Sequence, residues 1–221
     1  MKKSNGSPFS GVGATTLKAF ESKARPAKHP SAGAYLREHC PLPAAELELF
    51  FDIEDCTLRN LVYLHGFVIR EGGDCARERF VGIFADRADV EAERDAFSAA
   101  MALFREHAGG LVVHFSMHER TKYRELQRRF PDVCSVDAVE GLFATGRSLD
   151  LMAVAKKAIW PTRDNTVKSL AQYCGFRWRD ENPSGAASVE WFHRYVTEGD
   201  VGLRQRILDY NEDDCRAMRV V

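Results

Sequence analysis

The pattern of apolar and polar residues changes near residue 46. Residues 1 to about 45 are rich in Gly, Ser, Pro and Ala and contain only short apolar runs, which predicts a flexible or weakly helical leader or linker. Within it, GVGATTLKAF is interpreted as a loop that opens a short helix, because the lysine of a phosphate-binding loop is not in place. Residues 46–221 are predicted to form one folded domain.

Three segments rich in β-branched and aromatic residues begin that domain. They are ELELFFDI, NLVYLHGFVIR and RERFVGIFA, and their short separators contain turn residues, so they predict an antiparallel meander. A helix is predicted next, over ADVEAERDAFSAAMALFREHAGG, where Val90, Phe97, Met101 and Phe104 recur at helical spacing before a glycine pair. The apolar run GLVVHFS is typical of a buried parallel strand.

The remainder is predicted to be mostly helical. Helices are expected over TKYRELQRRF, LDLMAVAKKAIW, TVKSLAQYCGF and the stretch from GAASVEWFHRYV to the C-terminus, and a fifth strand is assigned to DVCSVDAV. Three antiparallel strands, a helix, a parallel strand and further helices make up the element order of an α/β, ribonuclease-H-like fold. We therefore expect a mixed sheet flanked by helices, with a helical C-terminal half.

Composition limits the classes of partner and cofactor. The chain has 31 Lys and Arg against 32 Asp and Glu, so a uniformly basic, nucleic-acid-binding coat is excluded but local basic patches are not. Its six dispersed cysteines form no CxxC pair, which favours reduced thiols over zinc or disulfides. No apolar stretch approaches the roughly 18 residues that span a bilayer, and no signal core is evident, so we expect a cytoplasmic protein without membrane contact.

The first predicted strand ends in a group of acids, FFDIED. Asp52 and Glu54 are two residues apart, and such side chains project from the same face of a strand. Two carboxylates directed at one point repel each other unless a cation lies between them, and oxygen ligands favour Mg²⁺ or Mn²⁺. The alternative is an ordinary acidic strand end that faces water. Asp55 is assigned to the end of the strand.

A second pattern lies near the C-terminus, in ILDYNEDDCRAM. Tyr210 precedes Asp214 by four residues, so both project from one face of a helix, whereas Asp213 is expected to lie outside the site. A phenol beside a metal-bound carboxylate can orient or deprotonate a water molecule. The chain contains no comparably ordered Ser/His/Asp or Cys/His set.

FDIED together with Y-N-x-x-D-C resembles the DEDD, or DnaQ-like, 3′–5′ exonuclease superfamily in its tyrosine subclass. The segments ELFFDIE, HFSMHERTKYREL, SLAQYCGFRWRDENPSGAASVEWF and ILDYNEDDCRAM are similar to a bacterial ribonuclease-H-like domain often fused behind a RecB-type nuclease domain. The resemblance extends from about Leu47 to Val221. It implies phosphodiester hydrolysis at DNA or RNA ends, with two Mg²⁺ or Mn²⁺ ions on Asp52, Glu54 and Asp214, a water positioned by Tyr210, and a RecB-type domain upstream in a longer chain.

The second motif departs from the family pattern. Where relatives have H-N-x-x-F-D, this chain has HFSMHE, with His114 in step, Phe115 in place of Asn and Glu119 in place of Asp. The resemblance makes Glu119 a metal ligand and catalytic residue, and leaves open whether the change slows the chemistry or alters the metal preference. Asp150 is the alternative ligand, although a helix cap is the favoured interpretation of that residue.

Basic residues follow the second motif in ERTKYRELQRRF and recur around Trp160 in KKAIWPTRDNTVK. They can bind a single strand through phosphates and stacking, or form a solvated helix face. A catalytically weak or inactive nucleic-acid-binding module is the alternative function. A third is an interaction protein whose acids are only surface charges. Trp178 and Trp191 are assigned to packing. The candidate nucleic-acid contacts are His114, Lys122, Arg124 and Lys168.

Overall fold

A computed structural model describes residues 35–36, 38–160 and 165–221. The main sheet has five strands in the spatial order β4-β3-β2-β5-β6, and β1 and β7 form a separate antiparallel pair. Strand β3 is antiparallel to both of its neighbours, β4 and β2, whereas β5 is parallel to both β2 and β6. This mixed sheet confirms the predicted fold class. The strands are Tyr35–Leu36 (β1), Leu47–Cys56 (β2), Leu61–Glu71 (β3), Arg79–Phe84 (β4), Leu111–His114 (β5), Ser148–Asp150 (β6) and Ile159–Trp160 (β7).

Seven α-helices flank the sheet in the described residues. Five of them begin where a Ser, Thr or Asp side chain accepts a hydrogen bond from a first-turn N–H, which fixes their N-terminal boundaries. A short 3₁₀ turn, Cys75–Arg77, precedes β4. The helices are Val90–Glu106 (α1), His118–Arg129 (α2), Val136–Leu142 (α3), Leu151–Ala158 (α4), Val167–Tyr173 (α5), Gly185–Glu198 (α6) and Val201–Val220 (α7).

The prediction that DVCSVDAV forms the fifth strand is wrong. The Ser135 hydroxyl accepts from the Ala138 N–H at 3.1 Å and starts α3, whose Val139 and Leu142 are buried one turn apart. The fifth strand of the sheet is β6 instead, three residues long and paired in parallel with β5.

Two other helix predictions need small corrections. Phe97, Met101 and Phe104 of α1 are buried as predicted, but Val90 is 61% exposed at the first position of the helix. The helix predicted through Trp160 ends at Ala158, because the next two residues pair with β1.

Alternate residues of β2 face opposite layers of the molecule. Phe51 and Ile53 pack in the hydrophobic cluster formed with α1 and α2. Phe50 faces the other side, where it packs against α7. Asp52 and Glu54 follow Phe50 at intervals of two residues, so their side chains lie on the same side of the sheet as α7.

Part of the predicted leader lies in the described residues. The Glu38 N–H donates to the carbonyl of Ala158 at 3.3 Å, and Ala45 packs against the cluster between α7 and the sheet. The helix predicted to follow GVGATTLKAF lies outside the described residues, as do 161–164 of the second basic segment and the Trp160 side chain. A domain boundary at residue 45 stays a prediction.

All six cysteines are free in the structure. Among the helices described, none is both long and apolar enough to cross a membrane.

Candidate metal centre

Three carboxylates meet near the C-terminal end of β2. Asp52 and Glu54 project from the strand, and Asp214 comes from α7, which lies across that face of the sheet. One oxygen of each residue lies within 4.8 Å of the others. In the described residues, this is the one group of three His, Cys, Asp or Glu side chains placed to share a metal ion. The structure thus brings together three of the four predicted metal ligands.

Buried neighbours orient the two aspartates. Asn211 Nδ2 donates to Asp52 Oδ2 at 2.8 Å, and Trp178 Nε1 donates to Asp214 Oδ1 at 2.7 Å. Each aspartate therefore has one oxygen fixed by a neutral donor and a second oxygen outside that bond. Donors behind a carboxylate hold it in the orientation in which it can ligate a metal.

Burial raises the pKa values of all three acids, and repulsion from neighbouring carboxylates adds to the rise for Asp52 and Glu54. Desolvation is the largest cause for Asp52, followed by the charges of Asp214 and Glu54. Desolvation and then the charge of Asp214 raise the pKa of Glu54 from 4.5 to about 8. Burial raises the pKa of Asp214 too, although the Lys168 ammonium opposes it. The three carboxylates cannot all ionise near neutral pH without a further counter-cation.

Tyr210 lies one turn before Asp214 on the same face of α7. Lys168 Nζ, from α5, donates to the Tyr210 hydroxyl at 2.8 Å and lies 3.5 Å from Asp214 Oδ2. Burial, followed by the charge of Asp214, raises the pKa of Tyr210 far above its ordinary value. The phenol therefore keeps its proton at neutral pH.

An open cleft of about 380 Å³ lies over the carboxylates. Its volume falls within the range of roughly 300–1,000 Å³ that is typical of ligand sites. One rim comes from the end of β2 and the start of α2, and the other from the first turns of α6. The lining residues are Asp52, Ile53, Glu54, Asp55, Thr57, His118, Gly185, Ala186, Val189, Tyr210 and Asp214.

Asp55 forms a charged group at the first rim. The register of β2 shifts between Glu54 and Asp55, and the strand ends one residue later than predicted, at Cys56. The Asp55 carboxylate contacts His118 Nε2 and Lys122 Nζ, each at 3.0 Å. Its hydrogen bond to His118 raises the pKa of that imidazole. Two potential cations thus lie near the cleft entrance.

Glu119, in the first turn of α2, is 2% exposed. Its Oε2 lies 3.7 Å from His114 Nδ1 and has no hydrogen-bond partner among the described residues. It lies outside the group of three carboxylates, but after burial, Asp214 and Glu54 its charge is a further cause of the raised pKa of Asp52. A buried carboxylate oxygen without a donor is a group that a cation would stabilise.

His114 and Asp150 hold the loop that leads to Glu119. Ser116 in this loop has a left-handed φ of 90°, its carbonyl accepts from His114 Nδ1 at 2.7 Å, and its N–H donates to Asp150 Oδ1 at 2.9 Å. The same Asp150 oxygen accepts from first-turn N–H groups of α4, which confirms the capping interpretation. His114 is 3% exposed, so this fold does not present it to nucleic acid.

The other candidate nucleic-acid contacts differ in their distance from the cleft. Lys168 lies at the carboxylates, and Lys122 is bound to Asp55 on the rim. Arg124 instead bonds Glu140 of α3 at 2.5 and 2.7 Å and is not among the residues that line the cleft. Asp213, as predicted, lies outside the metal group, and it accepts from Arg179 Nε at 2.9 Å.

Sequence reasoning missed the two neutral donors. Trp178 and Trp191 are buried, which confirms their assignment to packing, but the bond from Trp178 to Asp214 was not anticipated. Asn211 is not among the site residues that the sequence pattern predicts. Its available signals were an amide three residues before Asp214 and a glycine, Gly66, in an otherwise apolar strand.

Comparisons with known proteins place the chain in a family. No curated protein and no solved structure matches it significantly. A family model, RNase_H_2, described as RNase_H superfamily, matches residues 49–221, which include β3 to β6 and all the described α-helices. This match indicates a nuclease-type hydrolase acting on nucleic acid, and RNase H-like nucleases generally use divalent metals, with which the acidic group is compatible. By its sequence pattern and its mixed sheet, the chain belongs to the RNase H superfamily.

Proposed function

We propose that the chain is a metal-dependent nuclease that removes nucleotides from 3′ ends of DNA or RNA by a two-metal-ion mechanism. The observation that carries the proposal is the meeting of Asp52, Glu54 and Asp214 within 4.8 Å beneath an open cleft. Tyr210, one helical turn from Asp214, supports the tyrosine subclass of DEDD exonucleases.

The residues fit Mg²⁺ or Mn²⁺. The available ligands are carboxylate oxygens, which hard divalent ions prefer, and Glu119 Oε2 is a buried oxygen without a donor among the described residues. Asp52, Glu54 and Asp214 would hold the ions, with Glu119 as the fourth acid. When bound, two ions activate a water molecule and stabilise the charge on the leaving 3′ oxygen.

Tyr210 is proposed to orient the attacking water rather than to deprotonate it. Its raised pKa keeps the hydroxyl protonated, and the bond from Lys168 fixes the direction of the phenol oxygen. A neutral hydroxyl that accepts from Lys168 and shares a hydrogen bond with Asp214 keeps one lone pair to hold a water molecule, but it is a poor base. Lys168 also offers a positive charge for a substrate phosphate.

The cleft walls are compatible with a terminal nucleotide. Lys122 and His118 are cationic groups at this rim, where they pair with Asp55 and, for Lys122, with Glu125, and phosphate binding would depend on their exchanging these partners for the substrate. Gly185 and Ala186 on the opposite rim leave room for a sugar or base. We therefore propose single-stranded ends as the substrate; an upstream RecB-type domain stays a prediction.

The test uses purified protein with 5′-labelled single-stranded DNA and RNA in Mg²⁺ or Mn²⁺. We expect products that shorten progressively from the 3′ end, while a circular single strand stays intact. Asp52→Asn should reduce the rate at least about 100-fold, because metal stabilisation of the transition state amounts to several kcal/mol. Asp132→Asn, which changes an exposed carboxylate paired with Arg94, is the matched control and should cleave like wild type. Equal cleavage by wild type and Asp52→Asn would refute the proposal.

A nucleic-acid-binding module with weak or no catalysis is the second candidate. It is favoured by Lys168, whose ammonium already lies 3.5 Å from Asp214, and by Glu119, which lies outside the group of three acids. Calorimetric titration separates the two functions. Nucleic-acid binding without Mn²⁺ or Mg²⁺ binding would support the module.

A further inference from the structure

Asn211 links α7 to the sheet beside the metal centre. The residue is fully buried, three positions before Asp214, and its Nδ2 donates to Asp52 Oδ2 at 2.8 Å. The ionised Asp52 carboxylate, which is the form that binds a metal, can accept only from the NH₂ end of the amide, and this determines the direction of the side chain in that form. Its Oδ1 then has no hydrogen-bond partner among the described residues. Its NH₂ group also forms a hydrogen bond with Glu54 that opposes the raised pKa of that carboxyl. These bonds to two carboxylates are the polar interactions that account for an amide at this buried position.

A glycine makes this position accessible. Gly66 of β3 is paired directly with Asp52 of β2. A Cβ atom at Gly66 would lie 1.5 Å from Asn211 Oδ1 and 2.7 Å from Asn211 Cγ, distances that real atoms do not adopt. Because glycine weakens the interior of a strand, its presence in this buried strand marks the close approach of Asn211.

We propose that Asn211 is a positioning residue for the metal centre and that Gly66 provides the space it needs. The amide fixes Asp52 Oδ2, so that Asp52 Oδ1 is held ready for the cation before the cation arrives. This inference rests on the proposed metal-dependent function and adds to it two residues that touch no metal. Without the amide, Asp52 must be ordered at the moment of binding, which lowers metal affinity.

The test measures Mn²⁺ affinity by calorimetry in wild type, Asn211→Ala, Gly66→Ala and the double variant. Asn211→Ala should weaken binding by about 10-fold or more, as is typical when the partner behind a ligand is lost. Gly66→Ala should weaken binding similarly, because its new methyl group displaces Asn211. In the Asn211→Ala background that methyl group meets no amide, so Gly66→Ala should cause no further loss. The two effects are thus expected to be non-additive.

Gly82→Ala is the matched control. Gly82 is the β4 partner of Gly66, and a Cβ there would lie 2.6 Å from Leu208 Cδ2 on α7. This substitution disturbs the packing of α7 against the sheet without reaching Asn211. We expect it to lower the urea midpoint measured in EDTA but to leave Mn²⁺ affinity within about twofold of wild type, because the flexible end of the Leu208 side chain can move while Asn211 keeps its bond to Asp52.

The outcomes separate this inference from the function on which it rests. If wild type binds no Mn²⁺ and cleaves nothing, both fail. If wild type binds and cleaves but Asn211→Ala keeps full affinity, the nuclease stands and the positioning role is rejected. A loss on Gly66→Ala that persists in the Asn211→Ala background also rejects it, because the effect then comes from the strand itself. Should Gly66→Ala not fold, Asn211→Ala alone decides.

Discussion

At the scale of single residues, the donors around the acids are mostly neutral. Asn211 donates a hydrogen bond to Asp52, and Trp178 donates one to Asp214. The Tyr63 hydroxyl lies 3.4 Å from Glu54. Neutral donors orient carboxylates but do not neutralise them, and Lys168 supplies a single positive charge. The site therefore keeps an excess of negative charge that only a cation or bound protons can remove.

The excess charge predicts an unusual pH dependence in EDTA. Glu54 has a folded-state pKa of about 8 against 4.5 as the ordinary value. Between these values the folded state keeps a proton that the unfolded state has lost, so the free energy of unfolding contributed by Glu54 falls as pH rises. The raised pKa of Asp52 acts in the same direction. We expect the contribution of these two acids to make wild type less stable near pH 8 than near pH 5.5.

Asp52→Asn should relieve that repulsion. In EDTA near pH 8 it should raise the free energy of unfolding by more than about 0.5 kcal/mol, the usual limit for a surface substitution, and flatten the decline with pH. Urea denaturation across pH measures both, with Asp132→Asn as the exposed control. If the two variants behave alike, the acids are ordinary surface charges, which is the third hypothesis raised by the sequence.

Tyr210→Phe tests the orientation of water. It removes the hydroxyl but keeps the ring that packs against Trp191 at 6.1 Å between centroids. We expect kcat to fall about 100-fold, comparable to the loss from a misplaced reactant, while Mn²⁺ affinity changes little. Single-turnover rates and calorimetry separate the two effects. A large loss of Mn²⁺ affinity would show that the hydroxyl supports the metal site instead.

At the scale of elements, α7 explains which parts of the site could be predicted. Ile207, Tyr210, Asp214 and Met218 recur at helical spacing and are all buried, so the apolar pattern of the helix already places Tyr210 and Asp214 on its sheet-facing side. Asn211 lies on the same side, but its role depends on Gly66, which is remote in sequence. Helical spacing therefore predicts which residues share a face of one helix. It does not predict which residues of distant elements will contact each other.

The fifth strand shows the same limit. Ser148–Asp150 is too short and too polar to produce an alternating pattern, and its place in the sheet comes from parallel pairing with β5. DVCSVDAV contains several valines, so its sequence pattern resembles that of a strand. In the structure Ser135 is the N-cap of a helix over this segment. A prediction that sums β propensity over a short window gives little weight to a single capping residue.

The junction of α1, α2 and β3 depends on an ion pair between a buried glutamate and an arginine at the surface. Glu93 of α1 is 0% exposed, accepts from the Val62 N–H at 2.8 Å and is bound by the guanidinium of Arg129. Arg129→Met should lower the free energy of unfolding by about 3 kcal/mol, because it leaves a buried charge without its partner. Urea denaturation measures the change.

Two variants control that experiment. Arg128→Met changes an exposed neighbour on the same helix and should stay within about 0.5 kcal/mol of wild type. Combining Glu93→Gln with Arg129→Met removes the uncompensated charge and should recover part of the stability. An Arg129→Met loss no larger than that of Arg128→Met would contradict the role assigned to the pair.

At the scale of the whole molecule, the site depends on the completed fold. The hydrogen bond from Asn211 to Asp52 joins residues 159 positions apart, and Lys168 and Trp178 come from segments between them. The unfolded chain therefore contains no preformed metal site. A metal that binds only the folded state stabilises the entire domain and not one element.

Mn²⁺ should consequently raise the global free energy of unfolding, by about 2.7 kcal/mol at a concentration 100 times its Kd. Because the ion displaces protons from Glu54, whose pKa is about 8, its Kd should be lower near pH 8 than near pH 5.5, so at a fixed Mn²⁺ concentration the gain should be larger near pH 8. Urea denaturation at a series of Mn²⁺ concentrations measures this gain.

Asp214→Asn should abolish the gain. Asp213→Asn alters a buried neighbour bound to Arg179, so it should lower the baseline stability yet keep the gain. An equal gain in the Asp214→Asn variant would place the ion elsewhere.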